Sequence, residues 1–181
     1  MSLHGVTLGT PFEKMAEMLA MGEANGVMMY YSLARLAKEQ GLDDIADTFI
    51  EAANQEAVHA GFYATLNGKY PKDFWQMVRG LMAAETSGEA TVKGLADKFR
   101  AAGLVEAADE MEIFAKQEGH HGVILKQILE KYKPEALNVE GKTIYVCACC
   151  GYEYIGDLEG EPDTFLCPIC GQPKKVFKLK A

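Results

Sequence analysis

A set of three residues occurs twice in this chain, and it limits what the chain can fold into more than any other feature. Glu23, Glu56 and His59 recur in register, 62 positions on, as Glu85, Glu118 and His121. The flanks recur with them: Gly26 with Gly88, Leu33 with Leu95, Gly41 with Gly103, Leu42 with Leu104, and Asp47 with Asp109. This is the internal duplication of a helix pair. Residues i and i+3 share a helix face, so each Glu-x-x-His pair aims two donors at one place. One such pair occurs often by chance. Two of them, each preceded by a Glu 33 residues upstream, are far more specific. Four helices would then supply Glu23, Glu56 with His59, Glu85, and Glu118 with His121. That is the inward-facing ligand set of a carboxylate-bridged dinuclear metal centre in a four-helix bundle.

The residue types suit that chemistry. Four carboxylates balance two divalent cations, and their oxygens can bridge them. Imidazole suits iron, and a nitrogen and oxygen set without thiolate argues against a soft metal. The plainer alternative is exposed glutamates beside two buried histidines. Four glutamates buried together would require cations or protonation.

The 181 residues allow one or two domains and a sizeable core. Hydrophobic residues make up 49% of the chain, without an apolar run near the ~20 residues a membrane span needs. The opening MSLHGVTLGT lacks a basic and then apolar leader pattern, so a cytoplasmic location is expected. A net charge of −8 disfavours non-specific nucleic-acid binding. All five cysteines fall between Cys147 and Cys170, which reads as metal binding rather than a disulfide framework.

Thr10-Pro11-Phe12-Glu13 reads as a helix start, with Thr10 as N-cap and Glu13 completing a capping box. That helix runs to about Gln40 and stops at Gly41. Its apolar stripe holds Phe12, Met15, Leu19, Val27, Tyr30, Leu33 and Leu36, and Met18, Met21, Met28 and Met29 are expected to pack in the core. A second helix is expected over about 43–66, a third from Asp73 to just before Gly103, and a fourth over 105–132, stopped by Pro134. Tyr30 lies about two turns after Glu23. It is either a hydrogen-bond partner of a ligand carboxylate or a core aromatic.

From Ile144 the composition changes to Tyr, Val, Gly, Pro and Cys. Cys147-x-x-Cys150-Gly151 and Cys167-x-x-Cys170-Gly171 form two knuckles, each able to chelate one metal through two thiolates. The glycine permits the tight turn after the second cysteine. Four thiolates define a tetrahedral site for iron or zinc. Cys149 lies between two ligands and is expected to be a bystander. The expected division is a bundle over 1–134, a linker over 135–143 and a four-cysteine domain over 144–181.

Taken together, the two parts resemble the rubrerythrin family. The resemblance runs from about Phe12 to Lys178. It is carried by Gly22-Glu23-Ala24 with Tyr30, Ala37-Lys38-Glu39-Gln40-Gly41, Asn54 to Ala60, Tyr145 to Tyr152, and Cys167-Pro168-Ile169-Cys170-Gly171. It implies a mainly α chain, a ferritin-like four-helix bundle followed by a small β-rich rubredoxin-like domain. Implied cofactors are two non-haem irons on the Glu and His residues and one iron, or zinc, on Cys147, Cys150, Cys167 and Cys170. The implied activity is reduction of hydrogen peroxide to water in oxidative-stress defence. Electrons would come from rubredoxin or an NAD(P)H-dependent reductase, in a homodimer or higher homo-oligomer. Glu23, Glu56, His59, Glu85, Glu118 and His121 would be the catalytic ligands, with Tyr30 behind them. One departure stands out: many rubrerythrins carry an extra Glu three residues after the third-helix ligand, and here that position is Gly88. A ferroxidase or dioxygen reductase at the same centre is the first rival reading. The second is a non-enzymatic bundle with a zinc-ribbon docking module.

Overall fold

The computed structural model describes residues 2–132 and 141–180. The fold class is the one expected, mainly α followed by a small strand region that holds a four-cysteine cluster. The chain divides into two compact units, Met1–Lys72 and Asp73–Ala181. The expected stop at Pro134 and most of the expected linker fall outside the described residues.

The first unit is a helical hairpin of α1 (Glu13–Glu39) and α2 (Asp43–Asn67). Gly41, at φ +73°, closes the end of α1, and Gly68, at φ +68°, caps α2 in the left-handed conformation. Helix α1 starts three residues later than Thr10, and the capping box does not form. The Thr10 hydroxyl donates instead to the Thr7 carbonyl at 2.7 Å, and Glu13 accepts from the Gly9 N–H at 2.7 Å. The segment before α1 is tied to the far end of α2: the Gly5 and Thr7 N–H groups donate to the Thr65 and Leu66 carbonyls. His4 Nε2 lies 2.7 Å from the Tyr70 carbonyl. That tertiary anchoring outweighs the local capping signal.

Alanine lines the buried positions of this hairpin: Ala16, Ala20, Ala34 and Ala37 on α1, and Ala46, Ala53 and Ala64 on α2. Small residues let two helices approach closely and so select the contact face. The larger residues of the expected buried stripe project away from it. Met15, Leu19 and Leu36 are 51%, 39% and 51% exposed, and Met18, Met21, Met28 and Met29 are exposed as well. Their expected place in a buried core is corrected by this alanine seam.

In the second unit, α3 (Phe74–Ala101) and α4 (Val105–Tyr132) form a matching hairpin joined through Gly103 at φ +85°. Asp73 caps α3 by accepting the Gln76 N–H at 3.0 Å. Ala96, Ala108 and Ala115 are buried along the hairpin, and Gly122 lies against Thr86. The cysteine module follows as a three-stranded antiparallel sheet, β1 (Ile144–Cys147), β2 (Glu153–Ile155) and β3 (Phe177–Leu179), in the order β2-β1-β3. Its core of Cys147, Tyr152, Leu158, Cys167 and Phe177 is continuous with Ala84 of α3.

Candidate metal centres

The duplication becomes two equivalent three-residue clusters. Glu23 on α1 faces Glu56 and His59 on α2, with one donor atom of each within 4.8 Å of the others. Glu85 on α3 faces Glu118 and His121 on α4 with the same spread. In the first cluster His59 Nδ1 lies 3.0 Å from Glu56 Oε2. In the second, His121 Nδ1 lies 3.3 Å from Glu85 Oε2 and 3.9 Å from Glu118 Oε2. The glutamates are half-buried and the histidines are on the surface of their units. A hydrogen bond with Glu56 holds Glu23 above the ordinary carboxylate range, and the same bond holds Glu56 below it. A hydrogen bond with Glu85 likewise raises Glu118. Carboxyls held this close repel when both ionise, and a divalent cation between them removes that cost. The donor set therefore fits iron.

Two equivalent glycines shape these clusters. A Cβ on Gly26 would lie 3.5 Å from Glu56 Cγ, and one on Gly88 would lie 3.4 Å from Glu118 Cβ. Glu56 and Glu118 thus each lie against a bare stretch of the neighbouring helix. Gly88 keeps the second cluster the image of the first. Tyr30 stacks on Phe49 with ring centroids 6.1 Å apart, and its hydroxyl has no hydrogen-bond partner among the described residues.

The four cysteines converge as the spacing predicts. Cys147 and Cys170 Sγ are 3.7 Å apart, and Cys150 and Cys167 Sγ are 3.6 Å apart. Tetrahedral coordination with bonds of ~2.3 Å needs sulfur atoms ~3.8 Å apart, so the cluster has the right size for one metal. The two knuckles are built alike. The Gly151 N–H donates to the Cys147 carbonyl at 2.9 Å, and the Gly171 N–H donates to the Cys167 carbonyl at 2.8 Å. Both glycines have φ near +70°, which only glycine adopts without strain (77° and 70°). Burial raises the thiols of Cys150 and Cys167, the latter to about 11. At Cys170 burial acts in the same direction, but the Gln172 backbone N–H and the neighbouring thiols outweigh it and lower the thiol.

The seating of this module on α3 depends on contacts between residues far apart in the chain. The Ser87 hydroxyl donates to the Cys150 carbonyl at 2.8 Å, and Gln76 Nε2 donates to the Ile155 carbonyl at 3.2 Å. Arg79 faces Glu153 at 3.6 Å. Tyr152, fully buried, lies over Gly80, where an added Cβ would come within 2.3 Å of the ring. The one available sequence signal was a glycine in the interior of α3, where it costs helix stability without a turn to justify it. The result is a cleft of about 250 Å³ whose walls include Glu85, Gly88 and Glu118 on one side and Cys149, Cys150 and Ile169 on the other. Cys149, expected to be a bystander, is exposed in that cleft.

Comparison with known proteins gives the chain relatives. The family model described as Rubrerythrin matches residues 17–75. An uncharacterized protein of Methanocaldococcus jannaschii is 31% identical over 128 residues, covering 71% of this chain and 91% of its own length. The rubrerythrin of Porphyromonas gingivalis is 26% identical over 195 residues, covering 94% of this chain and 90% of that protein. A solved structure of nigerythrin in a mixed-valent state is 20% identical and covers 99% of this chain and 94% of that one, with a TM-score of 0.33. On its sequence relatives and its two kinds of metal-ligand cluster, this chain belongs to the rubrerythrin family.

Proposed function

We propose that this chain is a rubrerythrin-type non-haem iron peroxidase that reduces hydrogen peroxide to water in the cytoplasm. The observation that carries this reading is the cleft between the Glu85–Glu118 cluster and the Cys149–Cys150 knuckle. A one-electron carrier built against a carboxylate cluster suits repeated reduction of a small substrate, which iron storage does not need.

In this reading Glu23 and Glu85 would be terminal ligands, Glu56 and Glu118 would bridge, and His59 and His121 would each hold one of two irons. Bound iron supplies the two electrons that peroxide takes up, with two protons, when its O–O bond breaks to give two waters. The chain's own residues hold four negative charges around the metals and keep both imidazoles at the surface of their units, where protons can enter. Cys147, Cys150, Cys167 and Cys170 hold a further iron. That iron would supply one-electron chemistry, with rubredoxin or an NAD(P)H-linked reductase as donor, and the Ser87 hydroxyl ties its Cys150 knuckle to the helix that carries Glu85 at 2.8 Å.

A dioxygen reductase or ferroxidase is the second reading, favoured by Gly88 standing where many relatives carry a further Glu. The test is to mix fully reduced protein with one equivalent of peroxide or of dioxygen, anaerobically apart from the added oxidant. Faster oxidation of both ferrous centres with peroxide, read as growth of their ferric visible bands, is expected. A faster reaction with dioxygen and slow peroxide turnover would overturn the peroxidase reading.

A further inference from the structure

We propose that the cleft beside the Glu85–Glu118 cluster takes an organic hydroperoxide, with its apolar group against α3 and its O–O end toward the carboxylates. The chain then reduces alkyl and aryl hydroperoxides to alcohols, besides reducing hydrogen peroxide to water. The inference rests on the peroxidase reading above and names a further substrate class for the same centre.

The walls of the cleft point to this class. Leu81, Ala84 and Val92 lie along one side of α3, at i, i+3 and i+11, and all three line the cleft. Ile169 lines it from the second cysteine knuckle and is 37% exposed. Glu85, on the same stripe of α3, and Glu118 complete the lining with two carboxylates. Apolar walls with a few convergent polar groups are the usual make-up of a small-molecule site. Hydrogen peroxide carries no carbon and gains nothing from aliphatic walls. An apolar cavity of ~150 Å³ takes up benzene. A cleft of about 250 Å³ therefore has room for a phenyl or branched alkyl group with two oxygens attached. Each methylene buried there strengthens binding by roughly fourfold.

Gly88 joins the apolar wall to the cluster. It lies on the same stripe and lines the same cleft, and a Cβ there would meet Glu118 Cβ at 3.4 Å and Oε2 at 3.6 Å. A longer side chain at this position would project into the cleft beside Glu118. Its absence leaves the stripe open from Leu81 to Val92. The reaction balances with the electrons that the centre already supplies. The O–O bond of the hydroperoxide breaks and takes up one electron from each of two ferrous ions, which become ferric. Two protons from solvent convert the separated oxygens to an alcohol and a water. The apolar group takes no part in the electron transfer and decides only which end of the molecule meets the carboxylates.

The test uses the full, iron-loaded chain with cumene hydroperoxide as the probe. Fully reduced protein is mixed anaerobically with cumene hydroperoxide or with hydrogen peroxide, and the organic product is identified. Oxidation of the carboxylate-bound iron by both is expected, with one 2-phenyl-2-propanol formed per two ferrous ions oxidised. Val92→Phe, which fills the cleft, and Ile169→Gln, on the exposed knuckle, should each lower the ratio of the cumene hydroperoxide rate to the hydrogen peroxide rate by about tenfold. Reaction with hydrogen peroxide alone, acetophenone from one-electron cleavage as the main product, or a ratio unmoved in both variants overturns the proposal and leaves the peroxidase reading standing. Reaction with neither peroxide would defeat the peroxidase reading, and binding then judges the cleft without turnover. Cys149 is exposed there and reports on it. In the chain with zinc in its four-cysteine site, 2-phenyl-2-propanol should slow alkylation of Cys149 by iodoacetamide, and Val92→Phe should remove that protection. An alkylation rate that the alcohol leaves unchanged overturns the proposal.

Discussion

The two hairpins began as copies, and their outer positions show how they diverged. Both hold Glu, Glu and His within 4.8 Å and a glycine against the glutamate of the second helix, Glu56 or Glu118. Their histidines differ: His59 pairs with the Glu of its own helix, whereas His121 reaches the Glu across the hairpin. The larger difference lies on the first helix of each. Gln76, Arg79, Gly80 and Ser87 of α3 carry the cysteine module. Their counterparts in α1 are Lys14, Glu17, Met18 and Asn25, all exposed. The ligand positions stayed fixed while one face was rebuilt with a missing side chain, a hydroxyl and an amide. The ligand set constrained the interior of each copy, and docking of the cysteine module constrained only one exterior.

Paired substitutions at matched positions can break or sharpen this contrast. Removing one thiolate has the largest expected effect. Structural metal supplies on the order of 10 kcal/mol to a module of this size, so Cys167→Ser should abolish the four-cysteine absorbance and unfold residues from about 144 onward. Limited proteolysis should then cut the module and spare α1 and α2; a protease-resistant module in this variant would refute a metal-dependent fold. Next comes Gly80→Leu, which forces a side chain into the fully buried Tyr152 ring and should cost about 2–3 kcal/mol. The matched Met18→Leu should stay within about 0.5 kcal/mol. Thermal denaturation of the pair separates them, and equal shifts would mean that the α3 face is not specialised. Ser87→Ala removes one hydrogen bond, worth about 1 kcal/mol, and should also slow re-reduction of the carboxylate-bound iron. Asn25→Ala should do neither. The gentlest effect is on metal uptake. Below their raised pKa the Cys150 and Cys167 thiols are protonated in the metal-free module, and metal displaces those protons. Affinity for a thiophilic ion should therefore rise by up to about two log units per pH unit near neutrality, and a pH-independent affinity measured by chelator competition would contradict the protonated state.

Much of this was legible in the sequence, for specific reasons. The ligand sets were readable because i,i+3 spacing and a 62-residue register are one-dimensional signals. The knuckles were readable because each Cys-x-x-Cys-Gly closes its own turn. The α2 boundaries and the start of α4 followed from local signals. The start of α1 was not, because the Thr10 hydroxyl found a nearer carbonyl and residues 4–9 found the end of α2. The burial pattern was misread because a hydrophobic stripe weighs Met and Leu above alanine, whereas close helix contact selects alanine. Docking on α3 was invisible, since Gly80 and Ser87 meet Tyr152 and Cys150 only through long-range folding. Tyr30 illustrates the same limit: its spacing allowed a ligand contact, and Phe49 took its ring.

The central claim is that two separate three-residue clusters serve one dinuclear centre. Mössbauer spectroscopy of the fully oxidised, iron-loaded protein tests it most directly, with the four-cysteine iron subtracted. The account predicts a pair of ferric ions coupled antiferromagnetically into a diamagnetic ground state. Magnetically isolated ferric ions, one per hairpin, would contradict it.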